Sequence, residues 1–515
     1  MKPIRLISGF LTVGVWTMLS RILGFVRDAM ILALLGTGPF YEAYVVAFRL
    51  PNMFRRFFAE GAFNMAFVPM FSKKLQTGED ARGFAEEALA ALTTVLIALT
   101  LLAQLAMPWL IFGLASGFAG QQEFTLSVEF GRIAFPYVLF ISLAALFSGL
   151  LNATGRFAAA AAAPVLLNVL LVGSMTVAAA VGGDVARALI WAIPVAGVAQ
   201  LALVWGAARQ AGFGLRLAWP RFSPEMGRLL RIAVPAALAS GVVQINLLVG
   251  GQVASYFDKA VGWLYAADRL SPLPLGVVGI AIGVVLLPDL SRRLAARDDA
   301  GGRDALSRAG EVSLALTVPS AVALVVIPLP LVSVLFERGA ATAADSRAIA
   351  LAVAIYGLGL PAFVLQKILQ PLFFAREDTR TPFRFALVAM VINAVAAIGL
   401  APVLGWYAPA IATTLAGWAM VALLLRGSRG MGEVARFDAR FHRRIRRICA
   451  AAVVMGALLW GAAQLLETAL NTGGLRYLAL AALVLFGMAV YFGAGQLLGA
   501  FRLSEFRRNL RRSRG

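Results

Sequence analysis

Long apolar runs alternate with short polar segments over the whole chain, and this alternation predicts helices that cross a membrane. A span needs about 20 mostly apolar residues. Fourteen such runs can be drawn: 6–33, 40–71, 88–114, 128–151, 161–182, 186–208, 228–252, 261–290, 312–336, 347–374, 383–404, 408–426, 447–467 and 475–500. An even number puts both ends of the chain on one side. The predicted fold is an all-α polytopic membrane protein of 14 transmembrane helices.

The pattern also repeats. AFRLP at 47–51 followed by VPMFSKKL at 68–75 is echoed by ADRLS at 267–271 followed by LPDLSRRL at 287–294. Pro136 and Asn168 are echoed 225 positions later by Pro361 and Asn393. Six spans separate the copies, so they share one membrane orientation, as in parallel repeats related by an axis along the membrane normal. The expected organisation is therefore an N-terminal six-helix half over 1–215 and a C-terminal half over 216–430, enclosing a central cavity. Residues 431–515 would add a basic linker, two extra spans and a basic tail. Spans two and eight run about 30 residues, on the order of 45 Å of helix, and must tilt or bend in a hydrocarbon core of roughly 30 Å. Pro51, Pro272 and Pro274 lie where such a bend would remove backbone donors. Gly24, Gly276, Gly279 and Gly283 allow flexibility or close helix approach.

Composition agrees with the pattern: 60% of residues are hydrophobic and 14% charged, and the mean hydropathy is +0.83, whereas about a quarter of an average soluble chain is charged. The net charge of +20 would suggest nucleic acid in a soluble protein. Here no basic stretch is interleaved with base-stacking aromatics, so no nucleic-acid partner is expected. With the N-terminus cytoplasmic, the cytoplasmic tails and loops, counted with the span ends beside them, hold 33 of 46 Lys and Arg, the opposite loops six and the spans seven. That asymmetry places both termini in the cytoplasm. The richest segments, from Ser291, from Ala435 and at the C-terminus, read as anchors attracted to anionic lipid headgroups. Lys2 and Arg5 precede an apolar run with no small-residue cleavage site, which reads as a retained first span.

Several chemistries drop out. One cysteine, Cys449, and one histidine, His442, exclude disulfide frameworks and Cys/His metal sites. None of the five lysines follows a glycine, so there is no Walker A loop. No cofactor is expected; coupling to a monovalent ion or to the membrane potential is the remaining energy source. The acidic group Asp298, Asp299 and Asp304 reads as a solvated loop softening a basic patch rather than as a Mg²⁺ site.

The charges inside the spans matter more. A charge in a bilayer costs about 2.5–3.5 kcal/mol on insertion scales, so several together require a polar cavity or an anionic partner. Arg49, Arg56 and Glu60 fall on one helical stripe, with Asn52 and Arg55 adjoining. Arg21 and Asp28 are seven apart on span one, and Arg27 is turned about 120° from Arg21. Span eight adds Asp268 and Arg269, and span ten adds Lys367. Seven cations thus face Asp28, Glu42, Glu60 and Asp268. Local pairing, Arg56 with Glu60 or Arg27 with Asp28, is the plainer reading for individual groups. The surplus guanidinium groups suit a phosphate-bearing anion, whose oxygens they hold in bidentate fashion.

At these residues the chain resembles a known family. SRILGFVRDA at 20–29, RLPNMFRRFFAEGAFNMAFVP at 49–69, ADRLSPLPLGVVGIAIGVVLLPDLS at 267–291 and FFAREDTRTP at 373–382 are similar to the MurJ (MviN) lipid II flippases of the multidrug/oligosaccharidyl-lipid/polysaccharide (MOP) exporter superfamily. The resemblance covers the whole chain. It implies a transporter rather than an enzyme, located in the bacterial inner membrane, which moves undecaprenyl-diphosphate-linked peptidoglycan precursor outward for cell-wall synthesis. It maps the family's essential arginines onto Arg21, Arg27, Arg55 and Arg269, with Asn52, Glu60 and Asp268 nearby. Asp28, Glu42, Arg49, Arg56 and Lys367 are secondary candidates. Glu42 stands where the family commonly has an aspartate. The implied partners are lipid II, membrane lipids and cell-wall synthesis proteins, and spans thirteen and fourteen are expected to form a groove for the polyprenyl tail. The alternatives are an exporter of another lipid-linked oligosaccharide and a MATE-like drug exporter. The latter would want acidic, aromatic faces for a cation.

Overall fold

The computed structural model describes residues 6–55, 62–217, 219, 223–270 and 286–500. The described residues are helical throughout, with no strand among them. They divide into two compact units, residues 1–262 with 338–341, and residues 263–337 with 342–515.

The first unit contains α1 (Leu6–Leu35), α2 (Pro39–Arg55), α3 (Ala62–Thr77), α4 (Ala81–Leu114), α5 (Gln122–Ala134), α6 (Tyr137–Ala153), α7 (Ala158–Ala180), α8 (Val185–Gln210) and α9 (Pro224–Ala254). Short polar side chains start several of them by accepting a free backbone N–H, as expected of N-caps: Asp80 from Gly83, Asp184 from Arg187 and Ser223 from Met226. α1 packs on α7, α7 on α8, α6 on α8 and α2 on α5, while α9 lies against α3 and α4. α9 is tied down at both ends. Glu225 pairs with Lys74 at 2.7 Å, and Ser223 Oγ donates to Glu87 at 2.6 Å. At the other end the Ser116 N–H donates to Gln252 Oε1 and the Gly117 N–H to Ser255 Oγ, both at 3.0 Å. A Cβ on Gly117 would collide with the Ser255 backbone, so this approach needs glycine.

The second unit is built on Ala343–Phe374, which packs against both Ala408–Gly427 and Asp299–Val326. Arg380–Leu404 lies on Ala408–Gly427, and Ala439–Leu465 lies on Asp299–Val326 and on Leu475–Leu497. Thr342 and Asp345 form a reciprocal capping box at the start of Ala343–Phe374.

Nine helical stretches among the described residues are long and apolar enough to cross a membrane. Large apolar side chains such as Leu105, Trp109, Val403 and Leu465 point outward from them, as helices solvated by lipid require. The protein is a multi-pass membrane protein.

The span expected at 128–151 is present within the stretch Gln122–Ala153 but is interrupted at Phe135–Pro136, and other expectations change. The span expected at 312–336 breaks at Ile327 before Pro328. Proline removes the N–H that would continue each ladder. The stretch 291–311, read as a loop, is largely helical, because Asp298 N-caps Asp299–Val326 by accepting the Gly301 N–H. Two of its three aspartates are engaged: Asp298 also pairs with Arg293, and Asp304 with Arg308. Part of the basic segment after Ala435 is likewise structural. Buried Glu311 receives Arg308 and Arg444, and Arg308 also reaches Asp438, which N-caps Ala439–Leu465. Arg443, Arg446 and Arg447 on the same helix remain exposed.

Candidate functional site

The charges that the sequence predicts within spans sit on α1, α2, α10 (Ala260–Leu270) and the helix Ala343–Phe374. Arg56, Glu60, Pro272, Pro274, Gly276, Gly279 and Gly283 lie outside the described residues. The stripe of Arg49, Arg56 and Glu60 is therefore represented by Arg49 alone.

On α1 the 100° helical step separates Arg21 and Arg27, and the two differ accordingly. Arg21 is exposed, whereas Arg27 is 8% exposed. Arg27 is ion-paired with its neighbour: Nη2 and Nε donate to Asp28 Oδ1 at 2.7 and 3.0 Å. Its Nη1 donates to Asn168 Oδ1 on α7 at 2.9 Å. The local pairing of Arg27 with Asp28 is thus present, with an added partner 141 residues away. The sequence marked Asn168 as the echo of Asn393 and as a polar residue in an otherwise apolar run, and neither signal connects it with Arg27.

On α2, Asn52, Arg49 and Arg55 are half-buried. Pro51 lies within the helix, which continues to Arg55. The Arg49 guanidinium lies against α9, where a Cβ on Gly251 would collide with it. Glu42, near the start of α2, is 2% exposed and accepts the Gly262 N–H at 3.3 Å. The Tyr41 ring packs against the same glycine, where a Cβ would approach Tyr41 to 2.9 Å.

In the second unit Arg269 is half-buried and Asp268 exposed. Arg269 Nη2 donates to the Tyr265 hydroxyl at 2.6 Å, and its guanidinium carbon lies 4.3 Å from the centre of that ring. Tyr265 was not singled out from the sequence, although the four-residue step before Arg269 places both on one helix face. Lys367 is exposed on Ala343–Phe374.

The helices α1 and α2 together carry Arg21, Arg27, Arg49 and Arg55 against Asp28 and Glu42. Such a cationic excess favours an anionic partner.

The fold is shared with solved transporters. An inward-facing multidrug resistance MATE family transporter of the MOP superfamily aligns with a TM-score of 0.66 and 16% identity over 81% of this chain and 96% of its own. A lipid II flippase MurJ in an inward closed conformation aligns with a TM-score of 0.79 and 23% identity over 97% and 99%. This chain therefore shares the fold of these solved membrane transporters.

The family is given by sequence. The model of the family "Lipid II flippase MurJ" matches residues 31–481. A "Probable lipid II flippase MurJ" of Rhizobium tropici is 41% identical over 99% of this chain and 97% of its own length. One of the same description in Rhizobium meliloti is 44% identical over 98% and 96%. The "Lipid II flippase MurJ" of Burkholderia cenocepacia is 34% identical over 98% and 99%. The chain belongs to the MurJ family of lipid II flippases.

Proposed function

We propose that this protein carries undecaprenyl-diphosphate-linked disaccharide-pentapeptide, lipid II, from the cytoplasmic to the outer leaflet of the bacterial inner membrane for peptidoglycan synthesis. It would do so with fourteen transmembrane helices, two repeated six-helix halves and two added C-terminal spans, both termini being cytoplasmic. Full-length kinship with lipid II flippases at 41–44% identity is the observation that carries this reading. The cationic excess on α1 and α2 gives it a chemistry.

In this proposal Arg21, Arg27, Arg55 and Arg269 engage the diphosphate, with Asn52, Glu60 and Asp268 shaping the surrounding polarity. Guanidinium groups suit the task because their planar fork matches phosphate oxygens two at a time. The headgroup travels by alternating access while the polyprenyl tail stays in lipid. With the cell interior negative, outward movement of an anion is favoured by about 2.3 kcal/mol per charge per 100 mV, so the potential assists export. The protein transports; it does not catalyse a covalent step.

The test is complementation of a flippase-depleted cell. Each of Arg21→Ala, Arg55→Ala and Arg269→Ala is expected to lose function while the protein still accumulates in the membrane. A lost charge-assisted contact lowers headgroup binding by roughly ten- to a hundredfold. Arg→Lys should be tolerated only in part, because lysine lacks the fork. Growth of all three alanine variants at the wild-type rate would refute the diphosphate clamp.

A further inference from the structure

Resting on the diphosphate reading of Arg27, we infer that Asn168 is a positioning residue for that group: its buried carboxamide sets the guanidinium plane that an anionic headgroup meets. Asn168 is 4% exposed on the apolar helix α7. An unbonded amide there would be costly, and both of its ends are bonded. Oδ1 accepts from Arg27 Nη1 at 2.9 Å, while Nδ2 donates to the backbone carbonyls of Ser20 at 3.0 Å and Pro164 at 3.2 Å.

The chemistry fixes the orientation of the amide. A guanidinium only donates and a carbonyl only accepts, so the oxygen must face Arg27 and the nitrogen must face the two carbonyls. Asn168 therefore cannot turn over without losing all three contacts. Asp28 and Asn168 then do different work. Asp28 takes Nε and Nη2 and supplies one negative charge, whereas Asn168 approaches from another helix, takes Nη1 and adds none. Asp28 and Asn168 hold the plane from separate sides, and Asn168 does so without adding charge. The Ser20 carbonyl, next to Arg21 on α1, is part of the same arrangement.

Charge distinguishes positioning from simple packing. Asn168→Asp preserves size and the acceptor facing Arg27, but brings a second carboxylate to the guanidinium and removes the donation to Ser20. It should weaken anion binding more than Asn168→Ala does. A Cβ on Gly24 would stand 3.7–3.8 Å from the Asn168 amide, an ordinary contact. Gly24→Ala should leave binding unchanged.

The experiment measures affinity of the purified full-length protein, in lipid nanodiscs, for undecaprenyl diphosphate without sugar. Asn168→Ala is expected to weaken binding about tenfold in the wild-type background, as for one charge-assisted hydrogen bond. In an Arg27→Lys background, where no Nη1 exists, the same change should cost less than twofold. Should Asn168→Ala fail to accumulate, Asn168→Asp carries the test in both backgrounds. Unchanged affinity in either Asn168 variant, or an equal loss in both backgrounds, would overturn the inference. Wild-type affinity in Arg27→Lys and Arg21→Ala together would instead bring down the diphosphate reading and this inference with it.

Discussion

Arg269 is held by an aromatic side chain one turn earlier on its own helix. Tyr265 holds its guanidinium twice, through the hydroxyl at 2.6 Å and through the ring face at 4.3 Å. A cation over an aromatic face gains about 0.5–2 kcal/mol depending on desolvation. Tyr265→Phe, which keeps the ring, should lower lipid II transport by a few-fold, and Tyr265→Leu by tenfold or more, measured as initial rates in vesicles at matched protein levels. Equal effects of the two would assign the work to the hydroxyl instead. The pairing of Arg27 with Asp28 was legible in the sequence because the residues are adjacent. The hold of Asn168 on Arg27 was not, since no local spacing connects positions on α1 and α7. The repeat marked Asn168 only as the echo of Asn393, and both are buried.

Among the elements, the long apolar runs made most of the helices visible, and the polar side chains at their ends decided where several begin. The acidic and basic stretch from Ser291 looked like a solvated loop because its charges carry no apolar period, yet Asp298 caps a helix there. Glu311 explains part of the misreading: it is 4% exposed and faces Arg308 and Arg444, the latter from Ala439–Leu465. Removing one member of a buried ionic cluster leaves uncompensated charge. Because these arginines are about a fifth exposed, we expect Glu311→Ala to cost only about 1–3 kcal/mol, below the fully buried range. It should show as a lower melting temperature of the purified protein, with Glu311→Gln falling between it and the wild type. At the far end of α9, Gly117→Ala should also lower thermal stability, by about 1–3 kcal/mol as in other overpacked contacts, because the Ser255 backbone occupies the space. A wild-type melting temperature in Gly117→Ala would show that this approach is loose.

For the whole molecule, hydropathy and charge asymmetry were enough to read a polytopic membrane protein, and full-length kinship with MurJ proteins assigns its family. The physical reason this scale was the most legible is that lipid enforces simple rules on composition: apolar runs of span length and few charges within them. Those rules also made Arg21, Arg27, Arg55 and Arg269 conspicuous, although which neighbour each would meet depended on tertiary packing. The central claim is that the protein moves a diphosphate-linked glycolipid across the bilayer and that arginines select it. Its most direct test is translocation of fluorescent lipid II in vesicles reconstituted with the purified protein, with another lipid-linked glycan and a cationic drug as comparison cargoes. The account predicts protein-dependent movement of lipid II that Arg21→Ala and Arg269→Ala abolish. Movement of the cationic drug but not of lipid II, or lipid II movement unaffected by both substitutions, would contradict it.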